Sequence, residues 1–237
     1  MRFDPPLVRG RLLRRYKRFF AEVLLDDGRE ITAHCPNPGA MIGLADPGLT
    51  CWLSYAPSPK RKLDYRWVLV DVPNGEGGFL SCGIDTLLPN RLVDEALAAD
   101  AIAELADYPS RRREAAYGTG SRVDFLLEGA RGPAWVEVKG VTLRRAPGLA
   151  EWPDCVSTRG ARHMTELGEV ARLGGRAVVL FVVQRADCDR FAVARDLDPA
   201  FCAALDQARQ HGVEVLAYDC AVTPEKIAIR GAMRLRA

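Results

Sequence analysis

The pattern of apolar and polar positions changes along the chain. Up to about residue 85, short alternating runs are cut by Gly, Pro and Asp; beyond it, longer apolar stretches alternate with Ala/Leu/Glu-rich segments. Residues 7–25 predict a strand ending at the turn Asp26-Asp-Gly28, with 29–35 as its hairpin partner. Pro36-Asn-Pro-Gly-Ala40 interrupts with its own turn chemistry. Residues 50–56, 65–72 and 79–82 predict three more strands. Short strands with Gly/Pro turns predict a small all-β barrel of oligonucleotide-binding (OB) type over residues 1–85.

Residues 86–237 follow another rhythm. A helix is predicted over 91–106, strands over 121–127 and 135–139, and a third extended segment over 140–145. Residues 157–173 predict a helix capped by Ser157 or Thr158. The unbroken apolar run 176–183 predicts a central strand buried on both faces. A short strand over 191–194, a helix over 199–211 closed by Gly212, and a strand over 213–218 complete an α/β order.

The chemistry concentrates in Ser121–Leu127 and Trp135–Lys139. A turn centred in Gly129-Ala-Arg-Gly132 sets Asp124 opposite Glu137. Opposed residues have Cβ atoms about 5 Å apart, and like charges there repel. A proton or a cation between them relieves the repulsion. Lys139, two residues from Glu137, shares its face. Two carboxylates and a lysine can hold a divalent metal, activate water and stabilise charge at a phosphate. An ordinary charged hairpin is the other reading of so short a string. The alternation bears on that choice. Val123, Phe125, Leu127, Val136 and Val138 point one way; Asp124, Glu137 and Lys139 share the other face with Leu126 and Trp135. Charges among apolar side chains need partners.

Further candidates each carry two readings. Glu114 is a third carboxylate from a preceding helix or loop, or a surface acid beside Arg111-Arg-Arg113. Arg159, His163 and Glu166 form a polar stripe at helical spacing that reaches a phosphate, or they are the wet side of their helix. Gln184 ends the buried strand at the edge where α/β sites lie, or is a strand-terminal hydrogen-bonder.

Composition narrows the classes. The 237 residues are 48% hydrophobic and carry a net charge of +2. No apolar run approaches the roughly 20 residues of a membrane span, and Met1–Pro6 lacks a signal-peptide core. Seven scattered cysteines without a CxxC pair fit reduced, buried thiols in a cytoplasmic protein and not a zinc site. Nucleophile-elbow, P-loop and dinucleotide fingerprints are missing. The three histidines lack metal-ligand spacing, and His34 reads as structural. Positive charge is uneven: residues 1–20 hold Arg2, Arg9, Arg11, Arg14, Arg15, Lys17 and Arg18 against Asp4 alone. That predicts a basic face for a phosphate backbone, or a set of solvated charges. Arg15, Lys17, Arg18, Lys60, Arg61 and Lys62 are the candidate DNA-binding residues. Tyr16, Phe19 and Trp52 are candidates for stacking on bases, with Trp52 read as core.

RYKRF (15–19), ITAHCPNPGAM (31–41), PKRKLDY (59–65), PNRLVDEAL (89–97), SRVDFLL (121–127), WVEVKGVTL (135–143), RGARHMTEL (159–167) and VVLFVVQR (178–185) together resemble the sugar fermentation stimulation protein A (SfsA) family. Pro38 departs from the threonine expected there. The resemblance implies an OB-like barrel followed by an α/β domain resembling PD-(D/E)XK nucleases. It implies DNA binding and a role in regulating sugar-utilisation genes. Carried over, Asp124 is the metal-binding aspartate, Glu137 the second carboxylate, Lys139 the lysine and Glu114 an additional acid, with Mg²⁺ or Mn²⁺ as cofactor. The expected function is DNA binding with metal-dependent phosphodiester hydrolysis. The alternative is a regulator that binds DNA and cuts nothing, and an RNA partner stays open.

Overall fold

The structure is a computed structural model in which residues 1–60, 62–75, 77–117 and 121–236 are described. Six strands open the chain: β1 (Val8–Tyr16), β2 (Phe20–Leu25), β3 (Glu30–His34), β4 (Thr50–Tyr55), β5 (Tyr65–Pro73) and β6 (Phe79–Gly83). β1 pairs with β2 and β4, β2 with β3, and β4 with β5, all antiparallel; a parallel β3–β5 pairing closes the ring. This is a five-stranded OB barrel, and β6 extends it from β5. Leu12, Val23, Leu53 and Trp67 fill its interior. A Cβ on Gly10 would lie 2.6 Å from Val23 Cγ1 and 2.9 Å from the Leu24 carbonyl, so β1 crosses β2 there only as glycine.

The single strand expected over 7–25 is two. The chain reverses at Lys17 and Arg18, whose φ values of 47° and 63° are left-handed. No Gly or Asn marks this turn, which is why the pattern conceals it.

The second domain contains α1 (Leu88–Ala98), β7 (Ser110–Tyr117), β8 (Ser121–Glu128), β9 (Ala134–Val141), β10 (Leu143–Ala146), β11 (Gly148–Trp152) and α2 (Thr158–Arg172). It continues through β12 (Arg176–Val183), β13 (Cys188–Val193), α3 (Pro199–Gln210), β14 (Glu214–Val222), β15 (Ile227–Ala232) and β16 (Arg234–Leu235). The main sheet runs β15-β14-β12-β9-β8-β7, with β12 parallel to both neighbours. β12 is central and buried, as its apolar run predicts. α1 covers one face of the sheet, and α2 and α3 the other. β10, β11, β13 and β16 form a smaller sheet.

The helix expected over 91–106 starts at Leu88 and stops at Ala98; Asp100 takes a left-handed φ of 49°, and only a 3-10 turn follows at Ala103–Leu105. The α2 cap is Ser157, whose side chain accepts the Gly160 N–H at 3.1 Å. The pattern does not predict β7. Its run of exposed charges shows no period-two alternation, being an edge strand wet along most of its length.

The two parts are stitched together. The Phe3 N–H donates to the Glu225 carbonyl at 3.0 Å and the Gly83 N–H to the Gln184 carbonyl at 2.8 Å. The Met41 N–H donates to Asp154 Oδ2 at 3.0 Å.

Candidate active site

β8 and β9 pair through Phe125↔Val136, Leu126↔Trp135 and Leu127↔Ala134, the register set by a turn in Gly129–Gly132. The ladder ends there. Asp124 and Glu137 are the next positions in the same register, one step beyond the last pair. The Asp124 carboxylate takes over: Oδ2 accepts the Val138 N–H at 2.7 Å, and Oδ1 accepts Asn90 Nδ2 from α1 at 2.7 Å. With the ladder ended, β8 is free to turn. Val123, expected beside Phe125, packs on the α2 side of the sheet, while Phe125, Leu127, Val136 and Val138 pack toward α1.

Glu137 is only 3% exposed. Its Oε1 accepts Lys139 Nζ at 2.7 Å and also meets His163 Nδ1. Its Oε2 is buried without a partner. His163 Nε2 accepts Arg159 Nε at 3.3 Å. Arginine can only donate, so the imidazole proton sits on Nδ1 and points at Glu137. The Lys139 ammonium also lies 5.9 Å from the centre of the Trp152 ring.

The two acids are tuned in opposite directions. Burial, reinforced by the Glu137 charge, lifts Asp124 above the usual carboxylate range; the Val138 and Asn90 hydrogen bonds and Lys139 oppose this without cancelling it. Burial also pushes Glu137 upward, but the hydrogen bond from His163 and the Lys139 charge outweigh it, leaving Glu137 below its ordinary value. Tyr117 is raised by burial and then by the charges of Glu137, Glu166 and Asp124, and its hydroxyl has no partner.

The stripe on α2 is buried at His163, half-buried at Glu166 and exposed at Arg159. His163 is 3% exposed and bonded to Glu137, Arg159 stands behind it, and one Glu166 carboxylate oxygen is buried without a partner. Gln184, 2% exposed, is wedged at the domain boundary. A Cβ on Gly83 would lie 2.9 Å from its Oε1, and one on Gly140 would lie 3.4 Å from its Nε2. From Lys139 and Gln184 a cleft of about 400 Å³ opens between the domains, with Asn37 and Gly39 of the barrel facing Trp152 and Ser157 across it.

Glu114 is exposed and stands across the β7–β8 register from Asp124, between the pairs Arg113↔Phe125 and Ala115↔Val123. It lies on β7 with a left-handed φ of 51°, not on a preceding helix or loop, and its carbonyl accepts Arg122 Nη1 at 3.0 Å. Among the described residues, no three His, Cys, Asp or Glu side chains are placed to share one metal ion.

The six basic candidates divide. Arg15 spends its guanidinium on the loop of the first cleft, donating to the Asn37 and Gly39 carbonyls at 2.9 Å each. Lys17 and Arg18 are exposed, and Arg18 lines that cleft. Lys60 and Lys62 are exposed, with Lys62 on a different cleft; Arg61 lies outside the described residues. Tyr16 stacks on Phe20 with ring centres 5.4 Å apart, Phe19 is exposed, and Trp52 is half-buried with Nε1 donating to Asp71 at 3.0 Å.

Sequence reasoning missed Asn90, Tyr117 and the Asn37–Gly39 wall. Asn90 had one signal: a polar residue in the first turn of a helix, directly after Pro89.

An OB barrel closed onto an α/β domain, with an Asp124–Glu137–Lys139 group whose lysine lines the cleft between them, defines a two-domain class. Residues 13–77 match the SfsA N-terminal OB domain, and 87–226 match the sugar fermentation stimulation protein RE domain. The chain is 56% identical to the sugar fermentation stimulation protein homolog of Jannaschia sp. (strain CCS1), covering 98% of this chain and 95% of the relative. It is 53% identical to the homolog of Caulobacter vibrioides, covering 97% and 94%. The solved structure of Pyrococcus furiosus SfsA in complex with Ca²⁺ superposes with a TM-score of 0.86 at 28% identity, over 100% of this chain and 98% of that one. The chain belongs to the sugar fermentation stimulation protein family.

Proposed function

We propose that the protein binds DNA across the interdomain cleft and hydrolyses its phosphodiester bonds with a divalent metal, Mg²⁺ or Mn²⁺, held by Asp124 and Glu137. The observation that carries this is the Glu137 Oε2 atom, a buried carboxylate oxygen without a partner beside an Asp124 whose charge is costly. Both features fit a hard cation that takes oxygen ligands. Two protein carboxylates suit Mg²⁺, which keeps several waters and accepts phosphate oxygens. The Pyrococcus furiosus relative was solved in complex with Ca²⁺, another hard cation, which supports the same chemistry.

When bound, the ion supplies Lewis acidity and lowers the pKa of a ligated water. The chain's own residues do the rest. Asn90 and the Val138 N–H aim the Asp124 carboxylate. His163, backed by Arg159, fixes Glu137. Lys139 offsets negative charge developing on the phosphate. Arg18 and, further out, Lys17 meet the backbone entering the cleft, while the exposed Lys60 and Lys62 add positive charge elsewhere on the barrel. Reduced cysteines fit action in the cytoplasm; all seven are free, and six are buried. Among the described residues, no helix is long and apolar enough to cross a membrane. A part in sugar-utilisation gene control rests on the family name.

The test is incubation with single- and double-stranded DNA and with RNA, with Mg²⁺ or Mn²⁺, beside Asp124→Ala and Glu137→Ala. Metal-dependent cutting lost in both variants is expected. Binding without cutting under either metal would overturn the hydrolytic reading and leave a DNA-binding regulator.

A further inference from the structure

A second cleft, of about 700 Å³, lies across the domain connection from the first. Successive connecting residues alternate between them: Ile84 and Thr86 line the first cleft, Asp85 and Leu87 the second. One wall belongs to the barrel, where Tyr55 and Tyr65 are cross-strand neighbours with ring centres 4.8 Å apart. Tyr55 is 42% exposed and Leu87, which lines the same cleft, is 62% exposed, so apolar surface here meets solvent.

The polar groups here are strictly arranged. Arg66 grips Asp85 through Nε and Nη2, and Asp85 also accepts the Leu87 N–H at 2.9 Å. The Arg66 Nη1 atom lies 3.3 Å from His34 Nδ1. Because arginine only donates, His34 Nδ1 accepts and its proton resides on Nε2. Burial and the Arg66 charge both hold His34 below its ordinary pKa, so it is neutral at pH 7 and offers one N–H donor. Arg2, Lys62 and Arg91 line the same cleft, exposed and without an acidic partner among the described residues. Asp4 and Asp64 also line it, and with Arg66 and Asp85 neutralising each other the balance is one positive charge.

An exposed aromatic platform, a fixed hydrogen-bonding edge and unpaired cations at the rim match one ligand chemistry: a flat heteroaromatic ring that carries phosphate. Base stacking on aromatic side chains and phosphate contacts to basic side chains are how OB barrels take single strands. We infer that this cleft binds a nucleotide unit, with the base on Tyr55 and the phosphate between Lys62, Arg91 and Arg2. The unit is either a free nucleotide or one residue of a single strand. Nothing in this site is shared with Asp124 or Glu137, so nucleotide binding here does not depend on the hydrolytic reading.

The test is equilibrium binding in EDTA, where no cutting occurs. The probes are fluorescein-labelled octathymidylate, followed by anisotropy, and adenosine and thymidine monophosphates, followed by calorimetry. Tyr55→Ala should weaken octathymidylate binding about 5- to 150-fold. Lys62→Ala with Arg91→Ala should flatten the salt dependence by about 1.4 in log–log slope. All three residues lie at the surface, and unchanged melting curves check that the variants fold. Asp124→Ala should leave both effects in place. Binding of octathymidylate alone identifies a single strand as the source; binding of the monophosphates identifies a free nucleotide. If neither probe binds, or if the cleft variants bind as wild type does, the cleft is not a nucleotide site.

Discussion

Asp124 is a residue whose charge the fold resists. Its pKa is raised, so the native chain holds that proton more tightly than the unfolded chain. The stability tied to it is present at acidic pH and is lost as pH rises from the unfolded value through the native one. Asp124→Asn removes that cost. In EDTA at pH 7 the variant should melt higher, by on the order of a few degrees, and Mg²⁺ should raise the Tm of wild type but not of the variant. Glu137 carries the opposite sign, because its pKa is lowered. Its contribution is present above the unfolded carboxylate value and is lost as pH falls through the native one. Glu137→Gln should therefore melt lower at pH 7 and lose part of the acid sensitivity of wild type. His163→Ala should weaken Mg²⁺ binding about 10- to 100-fold, read by titrating the thermal shift, since Glu137 loses its orienting donor. The Asp124–Glu137–Lys139 group was legible because strand period and turn position fix which side chains share a face. Asn90 and Tyr117 were not: each reaches the site by tertiary packing that no local pattern encodes.

At the scale of elements, the site depends on how α2 is started, because α2 delivers His163 and Arg159. Ser157 caps it, and the Ser157 N–H in turn donates to Asp198 Oδ2 at 2.7 Å. Asp198 is 1% exposed and also caps α3, its Oδ1 accepting the Phe201 N–H at 3.0 Å. One buried carboxylate thus ties together the starts of both helices on that face of the sheet. Ser157→Ala should cost about 1 kcal/mol. Asp198→Ala, which strands two N–H groups, should cost about 2–4 kcal/mol. Urea midpoints at unchanged m values measure both. Equal losses in the two variants would remove Asp198 from the linking role. Both helices were visible in the sequence, α2 through its Ser157 cap and α3 through the Gly212 that closes it. The β1–β2 reversal and β7 were invisible for the converse reason. Lys17 and Arg18 adopt left-handed backbone without turn residues, and β7 spreads four exposed charged residues, Arg111 to Glu114, along an edge.

At the scale of the molecule, the change of texture near residue 85 does not divide the core. β5 serves both parts: Trp67, Val70 and Val72 fill the barrel, while Val68 and Leu69 pack with Leu88, Leu92, Phe125 and Val178 of the second domain. Residues 1–3 run beside 225–227, with the Ile227 N–H donating to the Met1 carbonyl at 3.0 Å. A strand buried on both sides cannot leave one core while staying in the other, so the barrel has no route to open alone. Native-state hydrogen exchange should therefore give the same highest opening free energy for Val23 in β2 and Phe181 in β12. Leu69→Ala, a fully buried truncation at the shared core, should lower both by the same 2–5 kcal/mol or so. Barrel amides that exchange through a cheaper opening, untouched by Leu69→Ala, would show two independent folding units. The cleft holding Lys139 would then be a hinge between them and not a fixed groove. Equal protection instead means that the walls of the cleft are set by folding itself, so the Asn37–Gly39 loop and Lys139 face each other before any nucleic acid arrives.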